Sequence, residues 1–133
     1  MDQTMATAIL AALNPTSGTK TIGTVTITYP LHLRLFTANG SDATTGTELT
    51  TSGGYTAGGA AIGMAAPSAG TVASNAPVSW TSMPTCTLTG PEKWDTSATP
   101  LREFWAPWTA GSIAVASGNT FTVSSASYTE ALA

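Results

Sequence analysis

Hydrophobic positions along this chain change period once, near Thr21. Before that point Met5, Ile9, Ala12 and Leu13 fall at i, i+4, i+7 and i+8, the spacing of one helical face, and predict a helix from about Thr4 to Leu13. Asn14-Pro15 ends it, because a residue preceding proline is pushed out of helical backbone geometry, and Thr16-Ser17-Gly18 continues as loop. So short a helix is marginal alone, so its stripe, Ile9 included, must dock on its own domain or on a neighbouring subunit.

Beyond Thr21 the period is two. Val25, Ile27 and Tyr29 alternate with Thr24, Thr26 and Thr28, and Leu31, Leu33 and Leu35 alternate with His32, Arg34 and Phe36, so both runs predict half-buried strands with Phe36 on the outer face. Threonine suits the wet face: its branched Cβ fits extended backbone and its hydroxyl stays solvated. Pro30 between the runs marks an edge, a bend or a bulge. Ala38 to Gly54 is rich in turn formers and predicts a long surface loop with a short strand at Thr47 to Thr50. Further strands are predicted at Ala60–Ala65, Thr71–Asn75, Val78–Thr81, Thr85–Thr89, Lys93–Asp95, Arg102–Trp105, Ile113–Ala116, Thr120–Ser124 and Tyr128–Leu132. Many short strands separated by turn signals predict a mainly β chain: an antiparallel β-sandwich or jelly-roll-like single domain, with helix and loop over 1–18 and the sandwich over 19–133.

Composition changes the picture most through what is scarce. The chain of 133 residues has four basic and seven acidic side chains, one histidine and one cysteine, and its charged fraction of 8% compares with a usual value of about 25%. A net charge of -3 with no cluster of Lys and Arg argues against nucleic acid as a partner, and against electrostatic attachment to a membrane. Low charge weakens the repulsion that keeps monomers apart, which favours a surface covered by other subunits. A lone Cys86 cannot form an internal disulfide and fits folding in a reducing cytosol; the N-terminus lacks the basic region of a signal peptide, and no apolar run approaches a membrane span of about 20 residues.

Catalytic chemistry has little to draw on. His32 is the one imidazole, placed by alternation opposite the leucines, and Cys86 lies in a strand-like setting with no nearby cation. The glycines at 53, 54, 58, 59 and 63 match no phosphate-binding pattern and read as turn or bulge residues; Asn39-Gly40-Ser41 reads as a turn. Asp42, Glu48, Asp95 and Glu103 are too dispersed for a calcium loop or a glycosidase pair. The expectation is a non-enzymatic chain without cofactor or metal.

Trp94, Trp105 and Trp108, with Phe104 and Pro107, form the densest aromatic stretch, and such residues dominate cores and interface hot spots. Trp94 or Trp105 is expected in the core. Alternation puts Phe104 and Trp105 on opposite faces, so one points outward, and Trp108 beside Thr109-Ala110-Gly111 is the preferred exposed anchor. An aromatic platform for sugars is the competing reading.

The order of several short motifs resembles a family of small virion proteins of tailed bacteriophages. They are Ala6-Thr7-Ala8-Ile9-Leu10, Leu31-His32-Leu33, Glu48-Leu49 followed by Gly53-Gly54-Tyr55, Val78-Ser79-Trp80, Trp94-Asp95, Trp105, and Ser117-Gly118-Asn119-Thr120-Phe121-Thr122-Val123. The chain departs from that pattern at Leu35 to Gly40, where a short aspartate-proline loop is expected, and after Tyr55, where an arginine is missing. Proteins of this kind are labelled tail-fibre or minor tail proteins, and in some phages they decorate the capsid. The resemblance implies a virion component made in the bacterial cytoplasm, with the major capsid protein and its own copies, as a homotrimer, for partners. Trp108, Trp105, Phe104, Phe36, Tyr55 and Ile9 are the residues expected at its interfaces.

Overall fold

Asp2 begins the first element of the computed structural model, which describes residues 1–132. Its carboxylate accepts hydrogen bonds from the backbone N–H groups of Thr4 (2.8 Å) and Met5 (3.4 Å), caps α1 (Gln3–Leu13) and is held below the usual aspartate range by those bonds. The buried face carries Ala6 and Leu10, with Leu13 packed on the core, whereas Met5 is 58% exposed and Ile9 half-buried. The docking stripe is therefore rotated by one residue from the expected one. Gly70 allows the close approach: its φ of +74° suits glycine, Ala6 Cβ lies 3.3 Å from where its own Cβ would be, and its N–H donates to Thr7 Oγ1 at 3.0 Å.

The strands are β1 (Thr19–Ile22), β2 (Val25–Thr28), β3 (His32–Ala38), β4 (Thr47–Glu48), β5 (Ala60–Ala61), β6 (Thr71–Ala73), β7 (Val78–Trp80), β8 (Cys86–Leu88), β9 (Gly90–Trp94), β10 (Arg102–Trp105), β11 (Ile113–Val115), β12 (Phe121–Val123) and β13 (Thr129–Ala131). All pairings between them are antiparallel. From Thr71 onward they nest: β6 pairs with β13, β7 with β12, β8 with β11 and β9 with β10. This is one long two-stranded ribbon with its tip at the 96–101 turn, the pairing order of a jelly roll. On the other edge of β9 lies β3, which also pairs with β4 and β5 and so occupies the middle of the largest sheet. The expected fold class, mainly β and sandwich-like with one short N-terminal helix, describes this arrangement.

One apolar cluster joins the layers, with Leu10, Ile27, Leu31, Leu33, Leu35 and Leu88 all nearly or fully excluded from solvent. The core tryptophan is Trp80, 6.2 Å from both the Tyr55 and Phe121 rings; Trp94 and Trp105, one of which was expected there, are each only half-buried. The first strand pair departs furthest from the sequence reading. Ile22 pairs with Val25 across a two-residue turn whose first residue, Gly23, has a φ of +62°, as a type II′ turn requires. Every residue of β1 is exposed, and of the alternating set Val25, Ile27 and Tyr29 only Ile27 enters the core.

Candidate functional site

Charge is nearly absent from the outside of this fold. Of the four basic and seven acidic residues only Asp2, Lys20 and Asp42 are exposed; the rest are buried or half-buried. Exposed large apolar side chains fall in two places: Met1 and Met5 at the N-terminal end, and Ile22 (38%), Val25 (46%), Tyr29 (42%) and Leu101 (38%) on the β1–β2 hairpin and beside it. Asp95 ties the second group together. Fully buried, its carboxylate accepts from the Thr28 N–H (3.0 Å) at the hairpin's base, and from the Leu101 N–H (2.6 Å) and Ser97 hydroxyl (3.0 Å) in the β9–β10 turn. Thr96 adds its own N–H to the Thr28 carbonyl and its hydroxyl to that of Pro30 (2.9 Å).

The expected interface residues scatter. Phe36 and Tyr55 lie inside the fold, 2% and 0% exposed, and present no face to a partner. Phe36 is covered because a register shift between β3 and β4 brings Gly46 over its ring, so both Leu35 and its outward neighbour are buried. Tyr55 serves the sheet from within. Its hydroxyl accepts from the Leu35 N–H (3.1 Å), which faces Pro91 in the register, and donates to Glu48 (2.7 Å). Burial pushes that phenol well above its usual range.

Trp108 is not an exposed anchor. Its backbone N–H donates to the Thr89 carbonyl at 3.1 Å, turning the indole back onto Phe121 (5.8 Å, edge to face) at one wall of a groove of about 260 Å³ that also takes in Ile113 and Val123. Phe104 packs against the core, whereas Trp105 on the opposite face donates to Asp42 at 3.0 Å. Ile9 stays half-buried on the flank of α1. Cys86 is a half-buried free thiol whose pKa is raised by burial, and the His32 ring nitrogen bonds the Gly58 carbonyl at 2.9 Å, a packing role.

Two polar networks fill the interior on the two faces of β9. On one face Glu92 accepts from the Gly46 N–H (3.0 Å), Arg102 (3.2 Å) and the Trp94 indole (3.0 Å), while Arg102 also donates to the carbonyls of Ser41 and Thr44 and so fixes the 38–46 loop. Arg34 stacks over Trp94 at 4.4 Å and reaches Glu48 at 3.5 Å.

The other network was not foreseen. Lys93, with no exposed surface, meets Glu130 at 2.7 Å and Glu103 at 3.0 Å, hydrogen-bonds Asn14 Oδ1, and lies 5.0 Å from the Phe104 ring centre. Asn14 Nδ2 donates to Glu130 Oε2 (3.0 Å) and to the Leu10 carbonyl (2.9 Å). Burial pushes Glu103 up to about 7, against the pull of Lys93, and raises Tyr128, which also feels Glu130. Among the described residues no group of three His, Cys, Asp or Glu side chains is placed to hold a metal ion.

Comparison of the chain with protein-family models, with curated proteins and with solved structures gives no match.

Proposed function

We propose that this is a non-enzymatic structural protein of a tailed-bacteriophage virion, a capsid decoration or cement protein that binds the outer face of the major capsid lattice and stabilises it as a homotrimer. The observation that carries this reading is the surface itself: only three of the charged side chains are exposed, and four of the six exposed large apolar side chains lie on the β1–β2 hairpin and beside it, the other two being Met1 and Met5. Contiguous apolar surface marks interaction sites, and so neutral an exterior keeps a free monomer poorly dispersed. The order of motifs resembling small phage virion proteins supports the same reading.

On a lattice, many modest contacts add because several copies engage at once, and a protein that binds only the assembled shell stabilises it by mass action. Hairpin residues Ile22, Val25 and Tyr29 are the proposed contact, in place of the buried Phe36 and Tyr55. Particles carrying the protein should survive heat or chelator better than particles stripped of it. Equal resistance removes the cement role and moves the protein to the tail or baseplate. Glycan binding lost on replacing Trp105 or Trp108 would instead identify a carbohydrate-binding adhesin.

A further inference from the structure

We infer that Lys93 and Asn14 become joined by an intramolecular isopeptide bond, formed without any other protein, in which Glu130 is the catalytic residue that relays a proton from the attacking to the leaving nitrogen. Four polar side chains from four elements converge here: Asn14 at the end of α1, Lys93 on β9, Glu103 on the neighbouring β10 and Glu130 on β13. Lys93 Nζ is hydrogen-bonded to Asn14 Oδ1, one bond away from the carboxamide carbon it would attack. Glu130 spans the reacting pair, with Oε1 2.7 Å from the nucleophilic Nζ and Oε2 3.0 Å from Nδ2, the nitrogen that must leave. A carboxylate with one oxygen on each nitrogen has the geometry of a general base and acid for amide exchange.

A purely structural ion pair accounts for this cluster less well. Buried charges are retained when well-directed hydrogen bonds meet their remaining lone pairs, and removal from water otherwise costs more than the attraction returns. Here both oxygens of Glu103 are buried without a properly directed hydrogen bond, although Nζ lies 3.0 Å from Oε2. The close, directed contact of Nζ is with the amide. Phe104 and the buried Tyr128 help to exclude water, so hydrolysis does not compete with attack by the amine.

The Lys93 ammonium first gives one proton to a carboxylate, Glu103 being the group that burial already favours in its acid form. The Nζ lone pair then bonds to Asn14 Cγ while the carbonyl electron pair moves onto Oδ1. Glu130 takes a proton from Nζ through one oxygen and returns one to Nδ2 through the other. As the carbonyl re-forms, the Cγ–Nδ2 bond breaks and its electron pair departs with ammonia. Amine and carboxamide have become a secondary amide and one NH3, with nothing oxidised or reduced. The product ties the end of α1 to β9 across 79 positions of the sequence, and it forms only after folding has brought the two side chains together.

The test uses the full chain expressed and purified alone, so its outcome is independent of any role in a virion. Intact mass should fall below the sequence mass by one ammonia, about 17 Da. Trypsin should then fail to cut after Lys93 and should yield peptide 1–20 covalently attached to peptide 35–102. A succinimide at Asn39-Gly40 would lose the same mass but leave peptide 1–20 free. Glu130→Gln, folded by circular dichroism, should lose the linkage, and linkage at an unchanged rate in that variant would overturn the role of Glu130. Free peptide 1–20 and cleavage after Lys93 in the wild-type protein would overturn the proposal.

Discussion

Glu92 and Lys93, neighbours on β9, are both buried, one on each face of the sheet, and each anchors a separate polar network. Successive side chains on a strand point to opposite faces, so this pair means that β9 is covered on both sides. Most of the protein's charge has gone into holding that centre together, leaving the outside to threonine, serine, alanine and a few apolar groups.

Arg102 holds the 38–46 loop through the carbonyls of Ser41 and Thr44 and through Glu92. Arg102→Met leaves Glu92 buried beside fewer donors, and breaking such a pair costs about 3 kcal/mol. Chemical denaturation should report that loss. Hydrogen exchange should show the Gly46 amide opening before the strands do.

Asp95→Ala removes the acceptor of three donors and leaves the Thr28 and Leu101 amides without their partner. Both hydrogen bonds are part-buried, so each lost one costs about 1 kcal/mol. The hairpin should loosen from the β9–β10 turn, seen as faster exchange at Thr28 and Leu101 and a lower Tm.

Much of the fold was legible in the sequence because each short strand carries its own alternation: Val78 and Trp80 face inward around Ser79, as do Tyr128 and Glu130 around Thr129. The β1–β2 hairpin was misread because alternation records which face could be buried, whereas every residue of β1, with Val25 and Tyr29, stays exposed. Trp108 was misplaced since a backbone bond to Thr89, invisible in sequence, decides where its indole turns. The buried cluster left one faint trace, charged residues at inward-facing positions of two strands, Lys93 and Glu130. Asn14 and Glu130 are 116 positions apart, so no local spacing could bring them together.

Tyr55→Phe separates a structural tyrosine from an interface one. It deletes the hydroxyl that serves the Leu35 amide and Glu48, so stability should fall by about 1–2 kcal/mol while particle binding by the folded fraction stays unchanged.

The pH dependence of stability carries the signature of Glu103. Its value in the folded protein, about 7, is raised from an ordinary 4.5, so between those values the folded state holds more protons than the unfolded one. Its contribution is therefore fully present below pH 4.5 and is lost as pH rises through 7. Amide formation at Lys93 removes the cation that lowers the value and leaves this sign unchanged. The Tm of wild type relative to Glu103→Gln should fall steadily from pH 4.5 to 7.

Ile22→Lys with Val25→Glu places two charges on the exposed hairpin without touching the core. Surface changes of this kind alter stability by about 0.5 kcal/mol or less. Affinity for capsid particles, measured by co-sedimentation, should fall at least tenfold, or by about 1.4 kcal/mol of binding free energy.

Decoration of a capsid lattice is the central claim, and the number of copies per purified virion tests it most directly. Quantitative mass spectrometry against the major capsid protein should find on the order of hundreds of copies, in fixed ratio to the lattice, as multivalent coverage requires. A handful of copies per particle would contradict decoration and place the protein at the tail or at a single vertex.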